Sequence, residues 1–125
     1  MPTTLKDMLE AAHAVVPMIS PADAAHLVTT AGAVIVDIRD GTEVAASGKA
    51  KGALTIPRGS LESRACPGSA SYLVEMRQDR PVILYCAGGN RAALAGKTLL
   101  DLGYIDVRNL GGFRDWVAGG GEVEK

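Results

Sequence analysis

The sequence predicts an α/β domain built on a central parallel sheet of about five strands flanked by helices. Short β-branched runs, "AVIVDIRD", "ALTIPRG", "PVILYC" and "DVRNL", recur along the chain, with helical patterns between most of them. Strands that alternate with helices are joined by crossovers, which favours a parallel sheet covered on both faces. At 125 residues the chain is long enough for one compact domain with a real core and too short for two ordinary ones.

The elements follow in order. Residues 4 to 16 place Leu5, Met8, Leu9, Ala12 and Val15/Val16 at helical spacing, and Pro17 ends the pattern. We read residues 1–19 as an N-terminal helical extension and 20–125 as the domain proper. Ser20 is suited to an N-cap, with Pro21 at the first helical position and Asp23 in the first turn, so a helix is expected over about 21 to 30. Between the second and third strands, residues 57 to 80 read as a short helix, a loop around Cys66-Pro67-Gly68 and a second helix. "NRAALAGKTLLDLG" is a strong helix closed by Gly103, and "GGFRDWVAGGG" is a final short helix between glycine turns.

Composition narrows the function. With 47% hydrophobic residues, 22% charged residues and a net charge of −1, the chain is globular and gives no electrostatic reason to bind nucleic acid. Asp7 and Glu10 stand where an export signal would want basic charge, and His13 and Pro17 break the longest apolar stretch there. Neither export nor a membrane span is expected. Two cysteines, Cys66 and Cys86, are too few for a disulfide scaffold, so a reduced, cytoplasmic setting is expected.

The chemistry gathers in "VILYCAGGNRAALAG", residues 82 to 96. In open parallel sheets, ligands bind beyond the carboxyl ends of strands, and Cys86 stands at such an end with a helix beginning near Asn90 or Arg91. Ala87, Gly88 and Gly89 lack bulk, and glycines at positive φ let successive N–H groups turn toward one point. The helix start adds unpaired N–H groups and its positive dipole end, and Arg91 adds a full charge. Together these favour thiolate over thiol and make Cys86 a candidate nucleophile.

These residues resemble a known family. "YCAGGNRAALAGKTLLDLGYIDVRNLGGFRDWVAGG" is similar to the C-terminal half of the single-domain rhodaneses, "VIVDIRD" to that family's first-half strand motif, and "GALTIPRGSLESRA" to its middle motif. The resemblance covers most of the chain from about residue 20 to 120 and implies a rhodanese-like three-layer sandwich. It also implies a sulfurtransferase: Cys86 takes the sulfane sulfur of thiosulfate or a similar donor as a persulfide, then passes it to cyanide, a thiol or a protein sulfur acceptor. No cofactor or metal is needed. In these roles the backbone of Ala87, Gly88, Gly89, Asn90 and Arg91 would hold the sulfur anion, and Arg91 the sulfonate end of the donor. Arg58, in the middle motif, would add positive potential, whereas Asp37 and Arg39 are expected to pair structurally.

Two departures stand out: Lys49 and Lys51 occupy positions where the family pattern has histidine and proline, and Val44 follows Glu43 where an aromatic is common. The rival readings are a non-catalytic rhodanese-like regulatory or binding module, and a cysteine-dependent phosphatase. The related phosphatases have five residues between cysteine and arginine, whereas four, "AGGN", intervene here. A monomer or weak homodimer is expected.

Overall fold

A computed structural model describes residues 2–125. In chain order the elements are α1 (Leu5–Val15), α2 (Pro21–Ala31), β1 (Val34–Asp37), α3 (Gly41–Ser47), β2 (Lys49–Ala50) and β3 (Leu54–Thr55). They continue with a single 3₁₀ turn at Arg58–Ser60, then α4 (Leu61–Ala65), β4 (Val82–Cys86), α5 (Asn90–Asp101), β5 (Val107–Gly112), α6 (Phe113–Ala118) and β6 (Val123–Glu124).

The first two helices begin where their capping residues dictate. Thr4 Oγ1 accepts from the Asp7 N–H at 3.1 Å while Asp7 Oδ2 accepts from the Thr4 N–H at 3.1 Å, closing a reciprocal cap on α1. Ser20 Oγ accepts from the Asp23 N–H at 3.1 Å, with Pro21 opening α2.

Strands β3, β1, β4 and β5 lie side by side in that order, all parallel. The expected fifth strand is reduced to one parallel bridge, Met18 to Asn109, in which Pro17 O accepts from the Asn109 N–H at 2.9 Å and Asn109 O from the Ile19 N–H at 3.0 Å. Alternation along β4 sorts the core into two layers. Val82, Leu84 and Cys86 pack with α4, α5 and Val16 at the end of α1; Ile83 and Tyr85 pack with Ala24 of α2 and Trp116 of α6. Both faces of β4 are fully buried, and each large apolar side chain removed from water stabilises by about 1.5–3 kcal/mol. A continuous apolar run therefore belongs at the centre of the sheet, whereas an edge strand would leave part of it wet.

The N-terminal helix packs along α5, burying Ala12 and Val16. Lys49 and Lys51 also have a definite place: β2 pairs antiparallel with β6, Lys49 Nζ lies 3.3 Å from Glu124 and Lys51 Nζ 3.2 Å from Glu122. The backbone pairing of β2 with β6 joins the C-terminal segment to the domain, and the two lysines lie along its rim.

The second helix expected within residues 57 to 80 is absent. After α4 the chain runs through turns, with Cys66 O accepting from Ser69 and Leu73 O from Met76, both at 3.0 Å. The Met76 carbonyl also accepts from the hydroxyls of Tyr72 and Tyr104, at 2.5 and 3.1 Å, in place of a helical N–H. Burial of Tyr104, which donates to Ala65 O at 2.6 Å as well, pushes its pKa up to about 12, so the hydroxyl remains a donor at any physiological pH.

Candidate active site

The site lies where β4 hands over to α5. Strand β5 carries a bulge: Leu84 faces Asn109 and Tyr85 faces Gly111, leaving Leu110 unpaired. The bulge sets Gly112 opposite Cys86, and the chain between Cys86 and Asn90 folds over it. A Cβ on Gly112 would overlap the Ala87 carbonyl, so only glycine admits this packing. Gly89 lies at φ +102°, where an L side chain is strained, while Gly88 stays outside the positive-φ region, so one glycine rather than two makes the turn. The buried amide of Asn109 joins both pieces, with Nδ2 donating to Gly89 O at 3.2 Å and Oδ1 accepting from the Gly111 N–H at 2.8 Å.

Cys86 is buried, and its Sγ accepts from the Gly89 N–H at 2.9 Å. Helix α5 begins at Asn90, and no side chain caps it. Where Thr4 and Ser20 satisfy the first N–H groups of α1 and α2, the start of α5 has the cysteine sulfur as its neighbour and donors left for a ligand. Ala87, Gly88 and Asn90 are exposed, so an approaching molecule meets the loop backbone directly.

The arginines are distributed unequally. Arg91 donates from both terminal nitrogens to Glu43, at 3.0 and 3.1 Å, and the pair is about one-third exposed. The Arg91 guanidinium, followed by the Asp40 N–H, holds the Glu43 carboxyl below its ordinary value, and the same hydrogen bonds raise the Arg91 pKa. The loop arginine expected to be committed to an anion is therefore paired with a carboxylate in the resting protein. Arg58 lies elsewhere: it reaches Glu62 at 3.0 Å and Thr98 Oγ1 at 3.2 Å, and it lines a groove between α1 and α5 that also includes Met8 and Leu94. Asp37 and Arg39 form a buried pair, with Arg39 Nη2 2.7 Å from Asp37 Oδ2 and its remaining donors on Ser47 Oγ and Gly48 O. Asp37 also accepts from the Tyr85 hydroxyl at 2.7 Å, and burial raises the Tyr85 pKa. Cys66 and Cys86 are both free thiols.

Four residues that build the site escape sequence reasoning as site residues. Glu43 is visible only as the fourth residue of an Asp40-x-x-Glu43 capping pattern, a local signal that says nothing of Arg91. Asn109 and Gly112 sit in a run that reads simply as strand and turn. Arg114 has the one usable signal: it stands two residues beyond the end of β5, the strand beside the cysteine strand. It faces the exterior with Phe113, Val117, Arg39 and Ala87 around an open pocket of about 370 Å³. Among the described residues, no cluster of histidine, cysteine, aspartate and glutamate could hold a metal ion, and no helix is long and apolar enough to cross a membrane.

Comparison with known proteins agrees with the fold. The rhodanese-like domain family matches residues 20–119. The thiosulfate sulfurtransferase GlpE of Stutzerimonas stutzeri is 33% identical over 77% of this chain and 81% of its own. The uncharacterized Bacillus subtilis protein YqhL is 34% identical over 72% of this chain, which spans 63% of that protein, less than two thirds of its length. Among solved structures, a Rhodopseudomonas palustris protein of unknown function, described as a possible tyrosine phosphatase, superposes with a TM-score of 0.86 at 37% identity and 99% coverage of both chains. The human single-domain sulfurtransferase TSTD1 superposes with a TM-score of 0.71 at 27% identity, covering 82% of this chain and 96% of that one.

Proposed function

The chain belongs to the rhodanese-like domain family, and on that footing we propose that it is a sulfurtransferase that carries sulfane sulfur on Cys86. One observation supports this reading above the rest: the Cys86 sulfur lies at the uncapped start of a 12-residue helix, 2.9 Å from the Gly89 nitrogen, with the loop backbone open to solvent. The likeness to GlpE is consistent with thiosulfate as a donor.

In the first half-reaction the Cys86 thiolate attacks the outer sulfur of thiosulfate. The S–S bond of the donor breaks, sulfite leaves with the electron pair, and Cys86 holds a persulfide. In the second, cyanide, a thiol or a protein sulfur acceptor attacks the outer sulfur, and the electron pair of the breaking S–S bond returns to Cys86. Atoms and electrons balance without a cofactor. Backbone N–H groups from Ala87 to Arg91 hold the negative charge wherever it rests, and Arg91, braced by Glu43, offers its remaining N–H groups to the donor's oxygens. This chemistry suits a reducing, cytoplasmic setting, in a monomer or weak dimer, without nucleic acid or membrane.

The test is intact-protein mass spectrometry after incubation with thiosulfate, comparing wild type with Cys86→Ser. A gain of one sulfur confined to wild type is the expected result; no gain, or a gain on Cys66, overturns the assignment. The description of the Rhodopseudomonas protein raises phosphatase activity as a second reading. Four residues between Cys86 and Arg91 enclose a smaller anion than five would, which favours a sulfur atom over a phosphate group. Hydrolysis of an aryl phosphate by wild type and not by Cys86→Ser would reverse that preference.

A further inference from the structure

Charge bookkeeping at the open face of the cysteine loop singles out one residue. Arg39 is buried and committed to Asp37, and Arg91 is held by both oxygens of Glu43. Arg114 is exposed, and among the described residues no carboxylate lies within ion-pair distance of it. Its neighbour Asp115 is exposed and caps the start of α6 instead of pairing with Arg114, with Oδ2 accepting from the Gly112 N–H at 2.8 Å. The open pocket that Arg114 lines also includes Ala87, the residue immediately after the nucleophile, and its apolar surface comes from Phe113 and Val117. The Phe113 ring is held in place by the Arg39 guanidinium, 4.4 Å from its centroid. The bulge in β5 fixes this arrangement, because it sets Gly112 against Cys86 and so brings the start of α6 beside the loop.

We infer that Arg114 is a specificity-determining residue that recognises the anionic end of the sulfur-bearing substrate as it approaches Cys86, with Phe113 and Val117 receiving any apolar part. This rests on the sulfurtransferase reading and deepens it by assigning the recruitment of the substrate's charge to a residue outside the cysteine loop, a step that precedes the contact of the bound donor with Arg91. An unpaired guanidinium attracts an anion at a distance and can bind it through two parallel N–H groups, whereas the Arg91–Glu43 pair is close to neutral from outside. The same anionic chemistry is found in the donor, thiosulfate, and in a thiol acceptor that bears a carboxylate.

The test compares wild type, Arg114→Gln and Arg114→Lys in three reactions at low salt. Alkylation of Cys86 by iodoacetamide, which is neutral, reports thiol reactivity, and alkylation by iodoacetate reports anion recruitment. Sulfur uptake from thiosulfate reports the donor. On persulfidated protein, 3-mercaptopropionate against its uncharged amide reports the acceptor. Arg114→Gln is expected to slow iodoacetate and at least one of the two anionic sulfur substrates by about 5- to 10-fold while leaving iodoacetamide within about 2-fold. Arg114→Lys should recover most of that loss, and the difference should shrink as salt is added. Which sulfur substrate falls identifies the half-reaction that Arg114 serves. The inference is overturned if all anionic reagents keep their wild-type rates, or if iodoacetamide slows in parallel. Should wild type take up no sulfur at all, the sulfurtransferase reading fails, while the iodoacetate-to-iodoacetamide ratio still decides whether Arg114 recruits anions.

Discussion

At the end of β1, Asp37 is enclosed by Arg39 and the Tyr85 hydroxyl; one strand over, β4 ends in Cys86, whose sulfur has one backbone donor and a loop exposed to solvent. Both strands reach the carboxyl end of the sheet in register, Asp37 beside Tyr85, and both are followed within five residues by an arginine. At β1 the side-chain oxygens, the guanidinium donors and an aromatic ring close on one another until no polar group is left without a partner. At β4 a glycine turn and an uncapped helix start present donors that the protein does not itself use up. The first arrangement is a brace and the second a place for a ligand, and the difference lies in how completely each charge is answered from within the chain.

Breaking the brace should have the largest effect. Arg39→Ala leaves the Asp37 carboxylate buried without its partner and removes the group over Phe113, so a loss of about 3–5 kcal/mol in denaturant unfolding is expected. A loss below about 1 kcal/mol would mean that water enters and replaces the guanidinium. Gly112→Ala comes next: its methyl must displace the Ala87 carbonyl, costing about 1–3 kcal/mol and moving the cysteine loop. Its sulfur uptake should fall far more than its stability, and unchanged uptake would show that the loop tolerates a shift.

The Arg91–Glu43 pair sharpens the contrast because it is the solvent-exposed counterpart of Asp37–Arg39. Arg91→Ala should weaken thiosulfate use more than it slows alkylation by iodoacetamide; equal losses would mean that Arg91 tunes the thiol instead of meeting the donor. For stability, Glu43→Gln should cost only about 0.2–1 kcal/mol, as expected for a pair this exposed. Its pH dependence has a definite sign. Because the folded protein holds the Glu43 carboxyl below its ordinary value of 4.5, the pair's contribution is present above that pH and is lost as the pH falls toward the lowered folded value. Acid unfolding of wild type and Glu43→Gln should therefore converge below that range, and a constant difference would remove the pair from the account. The smallest effect is expected for Gly88→Ala, within about 0.5 kcal/mol, since a methyl there meets no atom within 4 Å and the backbone is ordinary. A large loss would show that a methyl at Gly88 disturbs the loop despite the open space around it.

Much of this site is legible in one short stretch of sequence. The apolar run from Val82, the cysteine that ends it and the strong helix from Asn90 are all local signals, and the structure places each where those signals put it. The cap at Ser20 is equally local. Reading failed where local patterns compete with distant partners: the second helix expected within residues 57 to 80 gives way to turns, where the hydroxyl of the distant Tyr104 takes the Met76 carbonyl. What the sequence by itself determined is the order of elements, the burial of β4 and the position of the thiol at a strand end, because periodicity, capping and turn chemistry act within a few residues. The choice of Glu43 as the partner of Arg91, the bulge that seats Gly112 under the loop and the unpaired state of Arg114 belong to the tertiary structure alone. Each depends on which residues at and just after the ends of neighbouring parallel strands meet at the carboxyl end of the sheet, and in a parallel sheet those residues lie far apart along the chain.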